Sequence, residues 1–247
     1  MKKETRNKII REIVDFGKRI LPTEYSIEEL KRAFPFHAVF FTDEGLRAFK
    51  VQRSLVTKMG MKLYPKIALI IARERYNEAY VDYKIEGRAD SGMIRKAQEI
   101  VSSLREGKRK PNAQLEWREI LNAASGKTET HTVIADLYIG DHEEGPLFME
   151  IKSPRPNLDV CAQSKLKMLI FKIIFKDMNP QAYLAFPYNP FIKRENYRHS
   201  PTERIMDLDN EVLIGEEMWD KIGGPGTFNE LLEILDEAAK ILRKLLK

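Results

Sequence analysis

The chain has 247 residues, of which 43% are hydrophobic and 32% are charged, so it can form one sizeable core or two small ones and is not a disordered tail. Its 42 lysine and arginine residues outnumber its 37 acidic residues, and the net charge of +5 is compatible with a polyanionic partner without establishing one. No apolar run approaches the roughly 18 residues that cross a bilayer, and the single cysteine, Cys161, excludes a disulfide framework and a multi-thiolate zinc site. We therefore expect a protein of the reducing cytoplasm that has no membrane partner.

The first half of the chain has mainly helical patterns. Apolar residues at helical spacing predict a helix over residues 4–21 that ends before Pro22. Ser26 and Glu29 have the spacing of a capping box, which predicts the start of a short helix. Further helices are predicted over residues 43–59, 65–84 and 115–124 and after a cap at Ser91. Residues 105–113 break the pattern and predict an exposed basic loop.

The pattern changes from Gly126 onward, where β-prone segments predominate. Alternating residues predict a hairpin over residues 131–152. Aromatic and β-branched residues predict two further strands, one within residues 181–188 and one within residues 211–219. Residues 159–177 predict a helix of about four or five turns between the hairpin and the next strand.

The order of these elements predicts an α/β fold. We expect a helical N-terminal part, residues 1–125, that packs on an α/β core formed by residues 126–247. The core closes with a helix that starts near Thr227, where Thr227 and Glu230 have the spacing of a capping box. The two parts are expected to form one compact unit.

The predicted hairpin brings two acidic residues together. Its odd positions are all apolar, so they must face the core: Val133, Ala135, Leu137, Ile139, Leu147, Met149 and Ile151. If the turn centres on Glu143, Asp136 on the first strand lies directly across from Glu150 on the second. Opposed side chains of an antiparallel pair point the same way, with Cβ atoms roughly 4.5–5.5 Å apart. Lys152 lies one step along on the same face.

Two opposed carboxylates favour a metal site. Like charges that face each other on a sheet are destabilising, unless a cation lies between them. Mg²⁺ takes one or two carboxylates together with waters and phosphate oxygens, and the Ile151 carbonyl could supply a further oxygen. A lysine beside such a site can orient a water and offset charge on a phosphate. The alternative is a solvated hairpin face, against which Tyr138 and Phe148 count, because such a face rarely carries two large aromatics.

The spacing of these residues resembles a known motif. Asp136, thirteen intervening residues and then Glu150, Ile151 and Lys152 are similar to the signature of the PD-(D/E)XK nuclease superfamily. Ala135 stands where many members have a proline. The order of acid, strand, helix and strand that follows is also that of the superfamily. The resemblance implies a restriction-endonuclease-like core, a mixed central sheet flanked by helices.

Two further segments look similar to type II restriction endonucleases, namely residues 53–60 and 153–167, and the closest likeness is to the TdeIII-like group. The resemblance implies that Asp136 and Glu150 are catalytic residues that bind Mg²⁺, together with the Ile151 carbonyl. It also implies that Lys152 assists the water that attacks the phosphodiester.

Other acidic residues are weaker candidates. Asp82 and Lys84 form a second Asp-x-Lys, but they lie in a segment with a helical pattern, and no acid precedes them at a suitable spacing. Glu116 and Glu119 lie on the helix before the hairpin, where some related nucleases place a further metal ligand. Surface positions are the alternative that we favour for both glutamates.

Several polar residues are candidate DNA contacts. Arg155 lies in the loop after the Glu-x-Lys strand, where it could contact a phosphate or a guanine edge. Gln163 and Lys165 lie near the start of the next helix, which flanks the active site in the superfamily. Asn189 and Arg194 belong to a polar and aromatic stretch, and such side chains pair with adenine and guanine edges. A rigid linker, a solvated helix face and an ordinary surface loop are the respective alternatives.

The sequence as a whole predicts a Mg²⁺-dependent endodeoxyribonuclease that cuts double-stranded DNA at a short, palindromic site. A palindromic site implies a homodimer, because the two-fold symmetry of the protein then matches that of the DNA. A structure-specific repair or recombination nuclease of the same superfamily is one alternative. A nucleic-acid-binding module without catalytic activity is the other.

Overall fold

The computed structural model describes residues 1–20 and 25–245, so the helix end predicted at Pro22 lies outside the described residues. The strands are β1 Ala79–Asp90, β2 Thr128–Ile139, β3 Leu147–Ile151, β4 Gln181–Phe186 and β5 Val212–Ile214. The helices are α1 Lys3–Ile20, α2 Ile27–Ala33, α3 Pro35–Phe40, α4 Asp43–Lys58, α5 Tyr64–Ala72, α6 Ser91–Arg105, α7 Ala113–Asn122, α8 Leu158–Ile174, α9 Ser200–Ile205, α10 Leu208–Glu211, α11 Glu216–Gly223 and α12 Thr227–Leu245. A π-helical segment, Met59–Leu63, joins α4 to α5, and no helix in the described ranges is long and apolar enough to cross a membrane.

The described residues form a five-stranded mixed sheet in the order β1-β2-β3-β4-β5. The strands β1, β2 and β3 are antiparallel, whereas β4 and β5 continue the sheet in parallel with β3. The connection from β3 to β4 is α8, because parallel neighbours need a crossover. The predicted fold class, a mixed sheet flanked by helices with a helical N-terminal part, is confirmed.

Both faces of the sheet are buried. One hydrophobic cluster of the described residues joins α6, α7 and α8 to the sheet, and Phe148 of β3 is fully buried within it. A second cluster joins α1, α5, α11 and α12, and it includes Leu137, Met149 and Ile151. The odd positions from residue 137 to residue 151 therefore share one core face as predicted, whereas Val133 and Ala135 of β2 belong to the first cluster. The even face is also covered, which explains why β3 is apolar almost throughout.

The segment predicted as one helix over residues 65–84 is a helix followed by a strand. The helix α5 ends at Ala72, and β1 begins at Ala79 and pairs with β2 along its whole length. The prediction was wrong because the buried apolar residues of α5 dominate the pattern, whereas Tyr80, Val81 and Tyr83 have the aromatic and β-branched character of a strand. The strand β1 lies within the first 125 residues, and the division of the chain at residue 125 stays a prediction.

Two helix caps were predicted in the first half of the chain, and the structure confirms the first and shifts the second by one residue. The Ser26 hydroxyl accepts a hydrogen bond from the Glu29 backbone N–H, as the predicted cap requires. The cap of α6 is Asp90, one residue before the predicted Ser91, since an Asp90 carboxylate oxygen accepts from two N–H groups of the first turn. Hydrogen bonds from Ser125, Met93 and Gly126 lower the pKa of the Asp90 carboxyl to about 2.

Candidate active site

The antiparallel pairing of β2 and β3 has the predicted register. Leu137 pairs with Met149, and the neighbouring pairs continue the same register toward the turn. One step in the other direction sets Asp136 across from Glu150, just where β3 approaches its end. The register is fixed because a slip by one residue would move the apolar side chains of β3 to the wrong faces.

Asp136 and Glu150 meet on the ammonium group of Lys152. The Lys152 Nζ lies 2.5 Å from Asp136 Oδ2 and 3.1 Å from Glu150 Oε2. The same Asp136 oxygen also accepts a hydrogen bond of 2.8 Å from the Ile151 backbone N–H. The structure therefore brings together the three side chains that the motif predicted, although they lie on two strands.

The charge of Lys152 is stabilised by this arrangement. Burial alone would lower the pKa of Lys152, but the nearby carboxylates of Glu150 and Asp136 outweigh burial and raise it. The ammonium is therefore retained at neutral pH, where it compensates the two carboxylates. The ammonium group of Lys152 therefore lies beside both carboxylates, where the sequence predicted a metal cation.

Glu150 has a second cationic neighbour that the sequence pattern did not indicate. Its carboxylate is only 1% exposed, and Lys167 Nζ of α8 lies 2.8 Å from its Oε1 atom. Ser164, one turn earlier on the same helix, has its hydroxyl 3.5 Å from Oε2. Residues three apart share a helix face, so Ser164 and Lys167 at this spacing were the signal available in the sequence.

Asp136 and Lys152, the two more exposed members of the predicted centre, line a cleft of about 620 Å³. One wall consists of Asp136 and the end of β3 with its following loop, residues 151–153. The opposite wall comes from α4, the π-helical segment and the start of α5, and includes Thr57, Gly60 and Lys62. The segment 53–60, which resembled type II restriction endonucleases in sequence, thus borders the predicted catalytic residues. A π-helical turn at such a position is common at functional sites.

Asp82 also lines this cleft, contrary to its placement in a helix-like segment. It lies on β1 between Val81 and Tyr83, whose partners on β2 are Leu137 and Ala135. Asp82 is therefore across from Asp136. Its φ of +48° is in the left-handed region, which Asp adopts more readily than most residues. The position was missed because the helical pattern of the preceding residues was extended through it.

The residues present fit a divalent ion such as Mg²⁺. Among residues 1–20 and 25–245, no three His, Cys, Asp or Glu side chains are close enough together to hold a metal ion. Two carboxylates within 3.1 Å of a single ammonium nitrogen nevertheless form an anionic pair that one cation can bridge. Mg²⁺ needs no more protein carboxylates than this, because waters and phosphate oxygens complete its octahedron. The donors are all oxygens, as a hard cation prefers.

The structure corrects the predictions for Lys165 and Glu116. Lys165 is 0% exposed, so its ammonium group cannot reach DNA, and Glu116 is 0% exposed rather than at the surface. The Lys165 Nζ lies 2.5 Å from Glu116 Oε2 and forms a second ion pair with Glu211. Burial lowers the pKa of Lys165, but the two carboxylates raise it by more. Burial also raises the pKa of Glu116, despite its lysine partner.

The error has a physical reason. The apolar pattern of α8 does not show which side of the helix is buried, because large aliphatic residues such as Leu166 and Ile170 are only partly buried. The helix packs against α6, α9 and the sheet, so most of its circumference is covered. An apolar stripe does not define the buried side of such a helix. Cys161, the single cysteine, is fully buried on this helix.

The other candidate DNA contacts have different surroundings. Arg155 is exposed and its guanidinium lies 5.0 Å from the centre of the Phe191 ring, and Gln163 is exposed on α8. Asn189 is partly buried and accepts a hydrogen bond from a backbone N–H of its own loop. Arg194 donates to the carbonyls of Leu208 and Val212 and lies 3.4 Å from Glu217. Arg194 therefore helps to hold its loop, and DNA contact by all four residues stays a prediction.

Comparisons with known proteins match nearly the whole chain. The model of the family described as "Type II restriction endonuclease, HinfI" matches residues 1–239. The type II restriction enzymes HgiEI and HgiBI of Herpetosiphon aurantiacus are 34% and 35% identical, over 98% and 86% of this chain and 90% and 81% of theirs. The type II restriction enzyme MjaII of Methanocaldococcus jannaschii is 27% identical over 90% of this chain and 68% of its own. No solved structure matches significantly.

Proposed function

Because the chain belongs to the HinfI family of type II restriction endonucleases, which cleave DNA at specific sites, we propose that Asp136, Glu150 and Lys152 form its catalytic centre and that its metal is Mg²⁺. The observation that carries this proposal is the convergence of the two carboxylates on one ammonium group beside an open cleft. Paired structural carboxylates of a solvated hairpin would not require a glutamate that is 1% exposed.

The sequence prediction of a type II restriction endonuclease is confirmed by this family membership. The family that matches is HinfI, whereas the sequence pattern had suggested the TdeIII-like group. The superfamily motif covers only a small part of the chain, so it indicates the chemistry better than it separates one group of restriction enzymes from another.

Each residue of the centre has a distinct role in the proposed reaction. Asp136, Glu150 and the Ile151 carbonyl would hold Mg²⁺, and the Ile151 N–H orients Asp136 through its hydrogen bond. When bound, the divalent cation stabilises negative charge on the phosphate and lowers the pKa of a coordinated water. With the carboxylates of Asp136 and Glu150 engaged by a bound cation, Lys152 would be free to orient the attacking water and to offset negative charge on the phosphate.

We propose that duplex DNA lies along the cleft. Lys62 of the opposite wall faces the same space as Lys152, so a phosphate backbone can be held between cations on both sides. Arg155 and Gln163 are exposed near the end of β3 and the start of α8, where they can contact phosphates or base edges. Asn189 is a further candidate on the neighbouring loop. The N-terminal part, residues 1–125, and the core, residues 126–247, act as one unit here because the cleft has walls from both.

Cleavage is expected to depend on added Mg²⁺. Protein freed of metal with EDTA and incubated with phage DNA should leave the DNA intact, and excess Mg²⁺ should restore a fixed set of fragments. The reason is that three carboxylates, those of Asp82, Asp136 and Glu150, outnumber the two adjacent lysines, Lys152 and Lys167, so that net negative charge lies where the scissile phosphate must bind. Reproducible discrete bands support the proposed function, whereas activity in EDTA would contradict the metal assignment. Nicking of branched but not linear duplexes would favour the alternative of a structure-specific nuclease.

The active form is proposed to be a homodimer that binds a palindromic site. One chain carries one predicted centre, whereas cutting both strands of a symmetric site requires two centres related by a two-fold axis. Light scattering coupled to gel filtration should give twice the chain mass, at least in the presence of site-containing DNA. A monomer under both conditions, together with simultaneous cutting of both strands, would contradict this prediction.

A further inference from the structure

Lys167 on α8 makes specific contacts at the predicted centre. Its Nζ atom lies 2.8 Å from Glu150 Oε1 and 3.3 Å from the Ile134 carbonyl oxygen of β2. The Lys167 side chain is 38% exposed, whereas the Glu150 carboxylate is 1% exposed. The lysine therefore reaches inward from a helix and connects the two strands that carry the acidic residues.

The two oxygens of Glu150 have different partners. Oε1 faces Lys167, whereas Oε2 faces Lys152 at 3.1 Å and the Ser164 hydroxyl at 3.5 Å. Lys152 is shared with Asp136, so Oε2 is the Glu150 oxygen on the Asp136 side. A cation that bridges the two acidic residues would meet Oε2 first.

We propose that Lys167 is a positioning residue of the nuclease centre: it holds Glu150 Oε1 so that Oε2 alone is presented to the metal. This inference rests on the proposed function, because it assumes that Glu150 is a metal ligand. Lys152 must leave Glu150 when a divalent ion enters between the carboxylates. Lys167 can stay, since it lies on the opposite oxygen and is also bound to the β2 carbonyl.

The arrangement has a consequence for coordination. If Oε1 were free, Glu150 could rotate and bind the ion through both oxygens, which would take a coordination position needed by water or a phosphate oxygen. Because Mg²⁺ prefers octahedral coordination, a position taken by the second glutamate oxygen is not available to water or phosphate. Lys167 also adds a positive charge close to the ion. Loss of Lys167 should therefore strengthen metal binding and slow the reaction, two effects in opposite directions.

The test compares Lys167→Met and Lys167→Arg with the unchanged protein, and uses Lys176→Met as a matched control. Lys176 lies just beyond α8, is exposed and pairs with Asp177. The measurements are kcat and KM on a duplex that carries the cleavage site, and Mn²⁺ affinity without DNA from the paramagnetic resonance of free Mn²⁺. We expect Lys167→Met to lower kcat by about 10- to 100-fold with KM unchanged, the range typical of residues that orient metal ligands. Mn²⁺ should bind several-fold more tightly.

Lys167→Arg should recover most of kcat, because its guanidinium keeps the charge and can still donate to Oε1. A raised KM with unchanged kcat would overturn the inference and indicate a phosphate contact. Unchanged kinetics, weaker Mn²⁺ binding, or a loss of folding in Lys167→Met with no recovery in Lys167→Arg would also overturn it. Glu150→Gln separates a failure of the proposed function from a failure of this inference. If Glu150→Gln still cleaves DNA, the proposed function fails. If Glu150→Gln is inactive and Lys167→Met is fully active, only the positioning role of Lys167 is refuted.

Discussion

Glu150→Gln is expected to abolish cleavage of site-containing DNA while the protein remains folded. Glutamine keeps the shape of the side chain but removes the charge that would bind the metal. We expect kcat to fall by at least about a thousandfold, or about 4 kcal/mol of transition-state stabilisation. Asp136→Asn should have a similar effect, because both carboxylates face the same cation.

The fold should tolerate Glu150→Gln for reasons visible in the contacts. Lys152 keeps its ion pair with Asp136, and Lys167 is sufficiently exposed to be solvated. Neither ammonium group is then buried without a partner, so the large penalty of an unpaired buried charge does not arise. Circular dichroism and the melting temperature should stay close to those of the unchanged protein. A loss of structure in Glu150→Gln would make its inactivity uninformative, and Asp136→Asn would then serve as the test.

Glu119→Gln is the matched control for this prediction. Glu119 pairs with Arg109 at 2.9 Å on α7, outside the residues that line the cleft. Its loss of charge should leave kcat within about twofold of the unchanged protein, since this partly buried pair lies away from the cleft and from the predicted catalytic residues. Full activity of Glu150→Gln would refute the assignment of the centre. Equal loss of activity in Glu119→Gln would show that the assay responds to charge in general.

The hairpin shows what the sequence could predict. Apolar side chains at Leu137, Met149 and Ile151 favour a single register, because a slip by one residue would turn them away from the side chains against which they pack. The register in turn sets Asp136 across from Glu150, so strand geometry alone brought the two acidic residues together. What the pattern did not reveal is that the other face is also covered, by α8, which buries Glu150 and makes its charge costly without cations.

Residues whose partners come from distant parts of the chain could not be predicted. Lys165 and Lys167 are two residues apart on one helix, yet one is enclosed in the core and the other contacts the predicted centre. The apolar pattern predicts the helix but not its rotation, because α8 is apolar on several sides. Asp82 was missed for a similar reason, since only the pairing of β1 with β2 sets it across from Asp136. Propensity patterns describe local structure, whereas these positions depend on packing between elements.

Lys165→Met is expected to destabilise the fold strongly, in contrast to Glu150→Gln. The ammonium group of Lys165 lies between two carboxylates, Glu116 on α7 and Glu211 on α10, and all three groups are almost inaccessible to water. Methionine fills nearly the same volume but leaves two buried carboxylates facing each other. Removal of one member of a buried ion pair typically costs about 3–5 kcal/mol. For a chain of this size, that corresponds to a decrease in melting temperature of roughly 6–20 °C.

The destabilisation of Lys165→Met should also depend on pH in a defined direction. Burial already raises the pKa of Glu116, so its ionised form is the less favoured one in the fold. A carboxyl whose pKa is higher in the folded state than in the unfolded state stabilises the fold at low pH and loses that contribution as the pH rises through its folded-state pKa. Without Lys165, protonation of Glu116 is the main way to relieve the repulsion. The deficit in the free energy of unfolding should therefore be largest at neutral pH and smaller near pH 5.

A second substitution distinguishes charge from packing as the cause. Glu116→Gln added to Lys165→Met removes one of the two facing carboxylates, while Glu116 Oε1, which accepts a hydrogen bond from the Asn112 backbone N–H, is replaced by an amide oxygen that can do the same. Urea unfolding should show that the double variant is more stable than Lys165→Met alone, because residues in contact are not additive. If the two losses simply add, or if Lys165→Met lies within about 1 kcal/mol of the unchanged protein, then the buried carboxylates are stabilised by something other than this lysine. In that case, the packing of α7, α8 and α10 would have to explain why the carboxylates of Glu116 and Glu211 are tolerated in the core.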